Sequence, residues 1–306
     1  MATWDILRNI WFVLIGVLFA GYSVLDGFDL GIGVLFPFLA KNEDDKSALF
    51  RAVGPFWDGN EVWLLTGGGA LFAAFPHAYA TVFSGFYLAL MLVLFALILR
   101  AVSIEFRAHD TARRSLWEAA FFVSSALPAL LFGVALGNIM VGVPLDVRME
   151  YTGGFFTLFR PLPLLFGLLG LAAFTLQGST WAALKTQGRL QARARMAALR
   201  AGVGFGVLFM ISIIAVRIYL PQALERIPAW AFAALVVAAL VLLRPAVRKG
   251  KDGRAFTLSS LAFLALWGIV GAVHYPNLVR ATDPALSLTL SNASSSALTL
   301  KVMSVI

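Results

Sequence analysis

The amino-acid sequence predicts an all-α, polytopic membrane protein with its N-terminus outside, and three observations carry that prediction. Hydrophobic residues fill 60% of the 306 positions, against roughly 45–50% in soluble domains, and the mean hydropathy is +0.86. The long runs are apolar on every face and recur at the ~20-residue length that a bilayer requires. Only 13% of residues are charged, and the basic ones gather in short segments between the runs.

Eight spans follow in order. The first extends from Leu7 to Leu39, interrupted by Asp26 and Asp29. At over thirty residues it exceeds what a bilayer needs, so it must protrude or kink. The second covers Ala52 to Ala74, with Pro55 in a first turn where its missing N–H is tolerated. The third runs from Tyr79 to Leu99, after a Phe75-Pro76-His77 turn, and the fourth from Leu116 to Met140. The others are Leu164–Leu184, Ala201–Leu220, Ala229–Leu243 and Phe256–Val273. The first apolar run continues past any small-residue cleavage point, so it reads as a span and not a leader. Residues 287–306 are Ser/Thr-rich and turn apolar at Val302, as at the start of a further helix. The expectation is a single integral-membrane domain over 1–306 that lacks a last span.

Basic residues orient the stack. Segments 41–51, 100–114, 185–200 and 244–254 hold 3, 4, 5 and 5 Lys or Arg, or 17 of the 24. The alternate side is poor in them, which puts the four rich segments in the cytoplasm. Trp4, Trp11 and Trp230 at outer ends, and Trp117 and Trp181 at inner ends, agree as interfacial anchors. The net charge of +8 is therefore a topological signal, and a nucleic-acid partner is not expected. The absence of cysteine excludes disulfides, thiolate metal sites and thiolate-held iron–sulfur clusters. None of the three histidines, His77, His109 and His274, lies mid-span. Met91 and Met210 do, but as packing groups. The expectation is that this chain binds no haem or metal of its own.

Acids near the spans are the lead to function, since each costs about 2.5–3.5 kcal/mol at a bilayer centre. Asp26 and Asp29 are three apart and share a helix face. Gly27 and Gly31 beside them let another helix approach closely. The pair reads equally as a buried acidic face or as a water-facing mouth. In Gly54-Pro55-Phe56-Trp57-Asp58-Gly59-Asn60-Glu61-Val62-Trp63, Asp58 and Glu61 have capping-box spacing. A helix starting at Asn60 would be too short to span, so the reading favours a helix from about Ala52, with Asp58 inside the membrane and Trp57 and Trp63 packing around it. At the inner end of the third span, Arg100, Glu105, Arg107 and His109 read first as a solvated basic loop. Glu105 and the titratable His109 are candidates for collecting protons there.

At these residues the chain resembles subunit II of the cytochrome bd-type quinol oxidases. The strings are GFDLGIG at 27–33, PFWDGNEVWL at 55–64, GGALFAAFP at 68–76, SGFYLALMLVL at 84–94, GNIMVGVP at 137–144, LQG at 176–178 and SSALTLKVM at 295–303. The resemblance implies nine membrane helices, as two four-helix bundles plus one, in a prokaryotic cytoplasmic (inner) membrane. It implies a heterodimer with a subunit I that carries two haem b and one haem d. It also leaves room for a small single-helix subunit and for a bound lipid or quinone. The complex so implied oxidises quinol and reduces dioxygen to water, with this chain a non-catalytic, stabilising subunit that lends acids to a proton path. By motif position, Asp58, Glu105, Asp29 and His109 are the path candidates, with Trp57, Trp63, Glu61 and Asp26 as packing or motif residues. The sequence also admits two rival readings: a transporter using Asp26, Asp29 and Asp58, and a purely structural subunit whose acids never change protonation.

Overall fold

In the computed structural model, which describes residues 2–305, the chain is almost entirely helical. Helix α1 (Ala2–Leu39) is the long central element, and α2 (Glu43–Val53) follows it at the basic-loop end. Then come α3 (Trp57–Ala74), α4 (Pro76–Gly85), α5 (Tyr87–His109) and α6 (Arg114–Val141). Next are α7 (Pro161–Lys185), α8 (Gly188–Tyr219), α9 (Ile227–Arg248) and α10 (Asp252–His274). At the end opposite α2, a small antiparallel pair, β1 (Asn277–Val279) and β2 (Leu288–Thr289), precedes α11 (Ala297–Met303).

Among the described residues, seven helices are long and apolar enough to cross a membrane: α1 and α5 through α10. They coincide with seven of the eight expected spans. The exception is the second. Pro55 has no N–H for the Arg51 carbonyl, and the Phe56 N–H bonds Val53 instead of Ala52, so the helix ends at Val53 and restarts at Trp57. The Ala52 carbonyl freed by this break accepts the Trp181 indole N–H at 3.0 Å. The expected continuous helix from Ala52 is therefore two helices, α2 and the 18-residue α3. The third span is likewise divided at Phe86 into α4 and α5.

Helix α1 runs unbroken through its glycines, several of which serve close contact with neighbouring helices. A Cβ on Gly31 would collide with the Phe174 carbonyl and the Gly178 backbone of α7, and one on Gly178 would collide with Gly31. The two helices thus meet backbone to backbone. On the adjoining face, a Cβ on Gly33 would strike the Ser125 side chain of α6. Around this seam α1 packs against α3, α6, α7 and α10. Leu30, Leu176, Phe205 and Val236, all essentially without exposure, fill the adjoining core. The lipid-compatible residues stay outside, as with Leu65, Phe95, Val203 and Ile214.

The helix α2 is polar and docked by charge. Asn42 caps it, accepting the Asp45 N–H at 2.8 Å. Glu43, Asp44 and Asp45 in the first turn and Arg51 in the last suit the helix dipole. Lys46 lies 2.9 Å from both Glu43 and Glu118, and Arg107 reaches Glu43 at 3.0 Å and Glu118 at 2.9 Å. Arg193 binds Asp45 at 2.5 Å. The hydrogen bond from Lys46, with Arg107 behind it, holds the Glu43 carboxyl below its usual range. Glu118, then Glu43, hold the Lys46 ammonium above its usual value.

Two outcomes are expected. Gly31→Leu should wedge α1 from α7 and cost about 1–3 kcal/mol or more, read as a lower unfolding midpoint in detergent. A lowered Glu43 value contributes stability above the unfolded carboxylate pKa and loses it as pH falls through the folded value, and a raised Lys46 value loses its share at alkaline pH. Protection of α2 amides from hydrogen exchange should therefore be greatest near neutrality and fade on both sides. Protection independent of pH would contradict charge docking.

Candidate functional site

The acids gather around one arginine. Asp26 and Asp29 lie on one face of α1, about 20 and 15 Å from its end at Leu39 by the helical rise. Both are fully buried. The α5 residue Arg100 is also without exposure. Its Nη2 lies 2.7 Å from Asp26 Oδ1, an ion pair whose geometry is not that of an aligned hydrogen bond. The same Nη2 donates to Glu61 Oε1 of α3 at 2.6 Å. Asn60, also on α3, donates from Nδ2 to Asp29 Oδ2 at 2.8 Å and to the Leu25 carbonyl at 3.2 Å. Tyr22, one turn before Asp26, is 3% exposed. Its hydroxyl, Asp29 Oδ1 and Arg100 Nε and Nη1 are buried without hydrogen-bond partners.

Local sequence explains the assembly. The break at Gly54-Pro55 starts α3 at Trp57, which sets Asn60 and Glu61 in its first turns facing α1. Trp63 then lies over Gly21 of α1, where any Cβ would strike its ring. One guanidinium faces three carboxyl groups here. It can neutralise one carboxylate, so the remaining two need protons or shielding. That is an arrangement able to hold and exchange protons away from lipid.

The expected site residues divide in two. Asp29 and Asp26 are buried together, so neither meets water at a mouth of the span. Glu61, expected as a packing or motif residue, is a charged partner of Arg100. Asp58 needs correction: it is neither inside a helix from Ala52 nor an N-cap, because the helix break places it exposed in the first turn of α3, where its Oδ1 accepts the Gly59 N–H at 2.8 Å. Trp57 beside it is half-buried, and Glu105 and His109 are exposed at the basic end of α5. None of these surface groups makes a hydrogen bond or ion pair with the buried cluster, although Asp58 lies near Glu61 on the same helix. Arg100 and Arg107 correct the expected solvated loop, since both are helical and buried. Arg100, Asn60 and Tyr22 were missed. An arginine that closes an apolar run, with two acids on an earlier span needing a counter-charge, was the available signal.

The three histidines sit at helix ends, His77 at the start of α4, His109 at the end of α5 and His274 at the end of α10. His77 and His109 are exposed, and buried His274 has Nε2 2.8 Å from the Leu278 carbonyl beyond the end of α10. Among the described residues, no group of three or more His, Asp or Glu is arranged to hold a metal ion.

A family model described as cytochrome bd terminal oxidase subunit II matches residues 7–306. The chain belongs to this family. It is 36% identical over 340 aligned positions to the cytochrome bd-I ubiquinol oxidase subunit 2 of Escherichia coli K12, covering 99% of this chain and 90% of that protein. It is 35% identical over 309 positions to the cytochrome bd ubiquinol oxidase subunit 2 of Bacillus subtilis 168, covering 98% and 90%. The fold matches a chain of the bd oxidase from Geobacillus thermodenitrificans with a TM-score of 0.81 at 17% identity, over 97% of this chain and 92% of that one. The apolar helices and the bacterial relatives mark a multi-pass bacterial membrane protein, a subunit of a terminal oxidase.

Removing the arginine isolates its acids. Arg100→Met should destabilise the folded chain by about 3–5 kcal/mol, the range for an uncompensated buried charge. Adding Asp26→Asn to it should restore part of that loss. Equal unfolding midpoints for the single and double variants in detergent would refute the pairing.

Proposed function

We propose that this chain is a haem-free subunit of a membrane quinol:dioxygen oxidoreductase in the prokaryotic inner membrane. It pairs with a haem-bearing subunit I, stabilises it, and contributes carboxyl groups to the path that brings protons for reduction of dioxygen to water. The two haem b, the haem d and the quinol site belong to the partner in this reading, as does catalysis. Family membership and the ubiquinol oxidase names of the relatives support the reaction class. The observation that carries the proton role is the burial of Asp26 and Asp29, without exposure, against an arginine that is itself wholly buried. A purely structural ion pair needs one acid per arginine, whereas this site keeps two more.

Asp58, Glu105 and His109 enter this reading as surface groups on the same end of the bundle, where protons can be collected from water. Asp29 is the interior acceptor. Asn60 holds its carboxyl by one oxygen and leaves the other free of protein partners. The exposed apolar side chains of α3 and α5, among them Val62, Leu65, Leu92 and Phe95, offer a face for lipid or for the partner subunit.

Asp29→Asn keeps the contact with Asn60 and removes proton exchange. In the assembled complex it should slow quinol oxidation at least about tenfold, a modest share of what positioned acid–base groups contribute. Asp58→Asn should slow it less, since other surface groups can serve. Haem absorption bands should accompany the chain only when the partner co-purifies. An Asp29→Asn complex with full haem content and the parental rate would leave the acids a structural role only.

A further inference from the structure

Glu61 stands apart within the buried cluster. Asp26 and Arg100 have no side-chain exposure, whereas Glu61 keeps 25% of its side chain open. It lies three residues after the exposed Asp58 on the same helix, a spacing that brings two side chains to one face. Its Oε1 and Asp26 Oδ1 contact the same Arg100 Nη2, at 2.6 and 2.7 Å. The two carboxyl groups are thus separated by no more than those two contacts laid end to end, a gap that a single water can bridge. Three groups face Glu61 from α1, namely Tyr22, Asp26 and Asp29. From α5 it meets Arg100, and on its own helix Asp58 and Asn60 flank it. The Tyr22 hydroxyl and the Arg100 Nη1 and Nε, all buried and without partners, point to a site with more hydrogen-bonding capacity than the protein itself uses.

We propose that Glu61 is the exchange group through which protons pass between the surface at Asp58 and the buried pair Asp26 and Asp29, and that Arg100 is its positioning residue. The inference rests on the reading that this chain carries protons. In the inward step the O–H bond of a protonated Glu61 breaks and one forms on the Asp26 carboxylate, directly or through the bridging water. Glu61 is left as the anion, Asp26 becomes neutral, and the total charge is unchanged. The guanidinium stays charged throughout and is in contact with whichever of the two acids is ionised. A proton accepted at Asp58 from solvent then returns Glu61 to its protonated form. Because one nitrogen serves both acids, the shallow and deep carboxyl groups are coupled, and loading one releases the other.

The test uses the complete oxidase with its partner subunit, carrying Glu61→Gln, Glu61→Asp or Asp29→Asn. Quinol-driven oxygen consumption is measured across pH, together with infrared difference spectra of protonated carboxyl groups. Glu61→Gln should lower turnover about tenfold or more, flatten the pH profile and remove one carboxyl band. Glu61→Asp, which keeps the acid but withdraws it from Arg100, should restore part of the rate with a displaced profile. If the Gln complex fails to assemble, the Asp complex decides: a displaced profile supports the role, and one superimposed on the parental curve refutes it. A Gln complex with full haem content, the parental profile and every carboxyl band also overturns the assignment. Should Asp29→Asn be impaired in the same assay, the broader proton role survives that failure. Parental behaviour in both variants would end both.

Discussion

The structure turns on the burial of one guanidinium. Arg100 lies in α5 with no exposure, in a bundle whose outer surface is hydrocarbon-compatible, and a charge there is tolerated only against opposite charge. Asp26 from α1 and Glu61 from α3 supply it, at 2.7 and 2.6 Å. This contact ties α5 to α1 and α3, which also pack directly against each other. The energetic consequence is asymmetric. Replacing the whole group by apolar side chains of similar volume could be neutral or stabilising, whereas removing one member leaves a buried charge unmatched. A cluster of that kind gives little stability for its complexity, so its composition is better explained by what it does than by what it holds together.

Two local features make the cluster possible. The backbone contact of Gly31 and Gly178 lets α7 press against α1 on the side away from Arg100, with no side chain between them. Without it α1 could not be sheathed on all sides, and its acids would meet lipid or water. The break at Gly54-Pro55-Phe56 is the second. It ends α2 outside the apolar layer and re-aims the chain, so that Asn60 and Glu61 enter the bundle while Asp58 stays at its surface. The Trp181 indole, by taking the Ala52 carbonyl, removes the penalty that a broken helix next to a membrane would carry.

Much of this was legible beforehand. Long apolar runs located seven long helices, because length and hydropathy are set by the bilayer and owe little to tertiary detail. The acidic pair on α1 was equally visible, since a three-residue spacing on a helix fixes a shared face. Legibility failed where a residue's environment depends on another helix. Arg100 closes an apolar run and begins a basic segment, so by composition it belongs with solvated arginines. Only its approach to Asp26, seventy-four positions earlier in the chain, makes it interior. Asp58 failed in the opposite direction. Helix length argued for a start at Ala52, yet a proline whose ring and missing N–H interrupt the ladder outweighed that preference, and the acid moved from interior to surface. Glu61 was underrated for the same reason, because its partner sits on another span.

The proton-handling reading gains from the imbalance of charge more than from any single distance. Were the cluster built only to anchor helices, one carboxylate per guanidinium would suffice, and further acids would add desolvation cost with no compensating contact. Asp29 is held by a neutral amide, which can accompany either the ionised or the protonated carboxyl, since an Asn side chain offers both a donor and an acceptor. Glu61 keeps contact with the surface while sharing the arginine with Asp26. Thus each acid sits beside a partner that tolerates both of its states, and the fixed positive charge sets how many can be ionised at once. A buried group with that freedom can pass a proton without moving a helix.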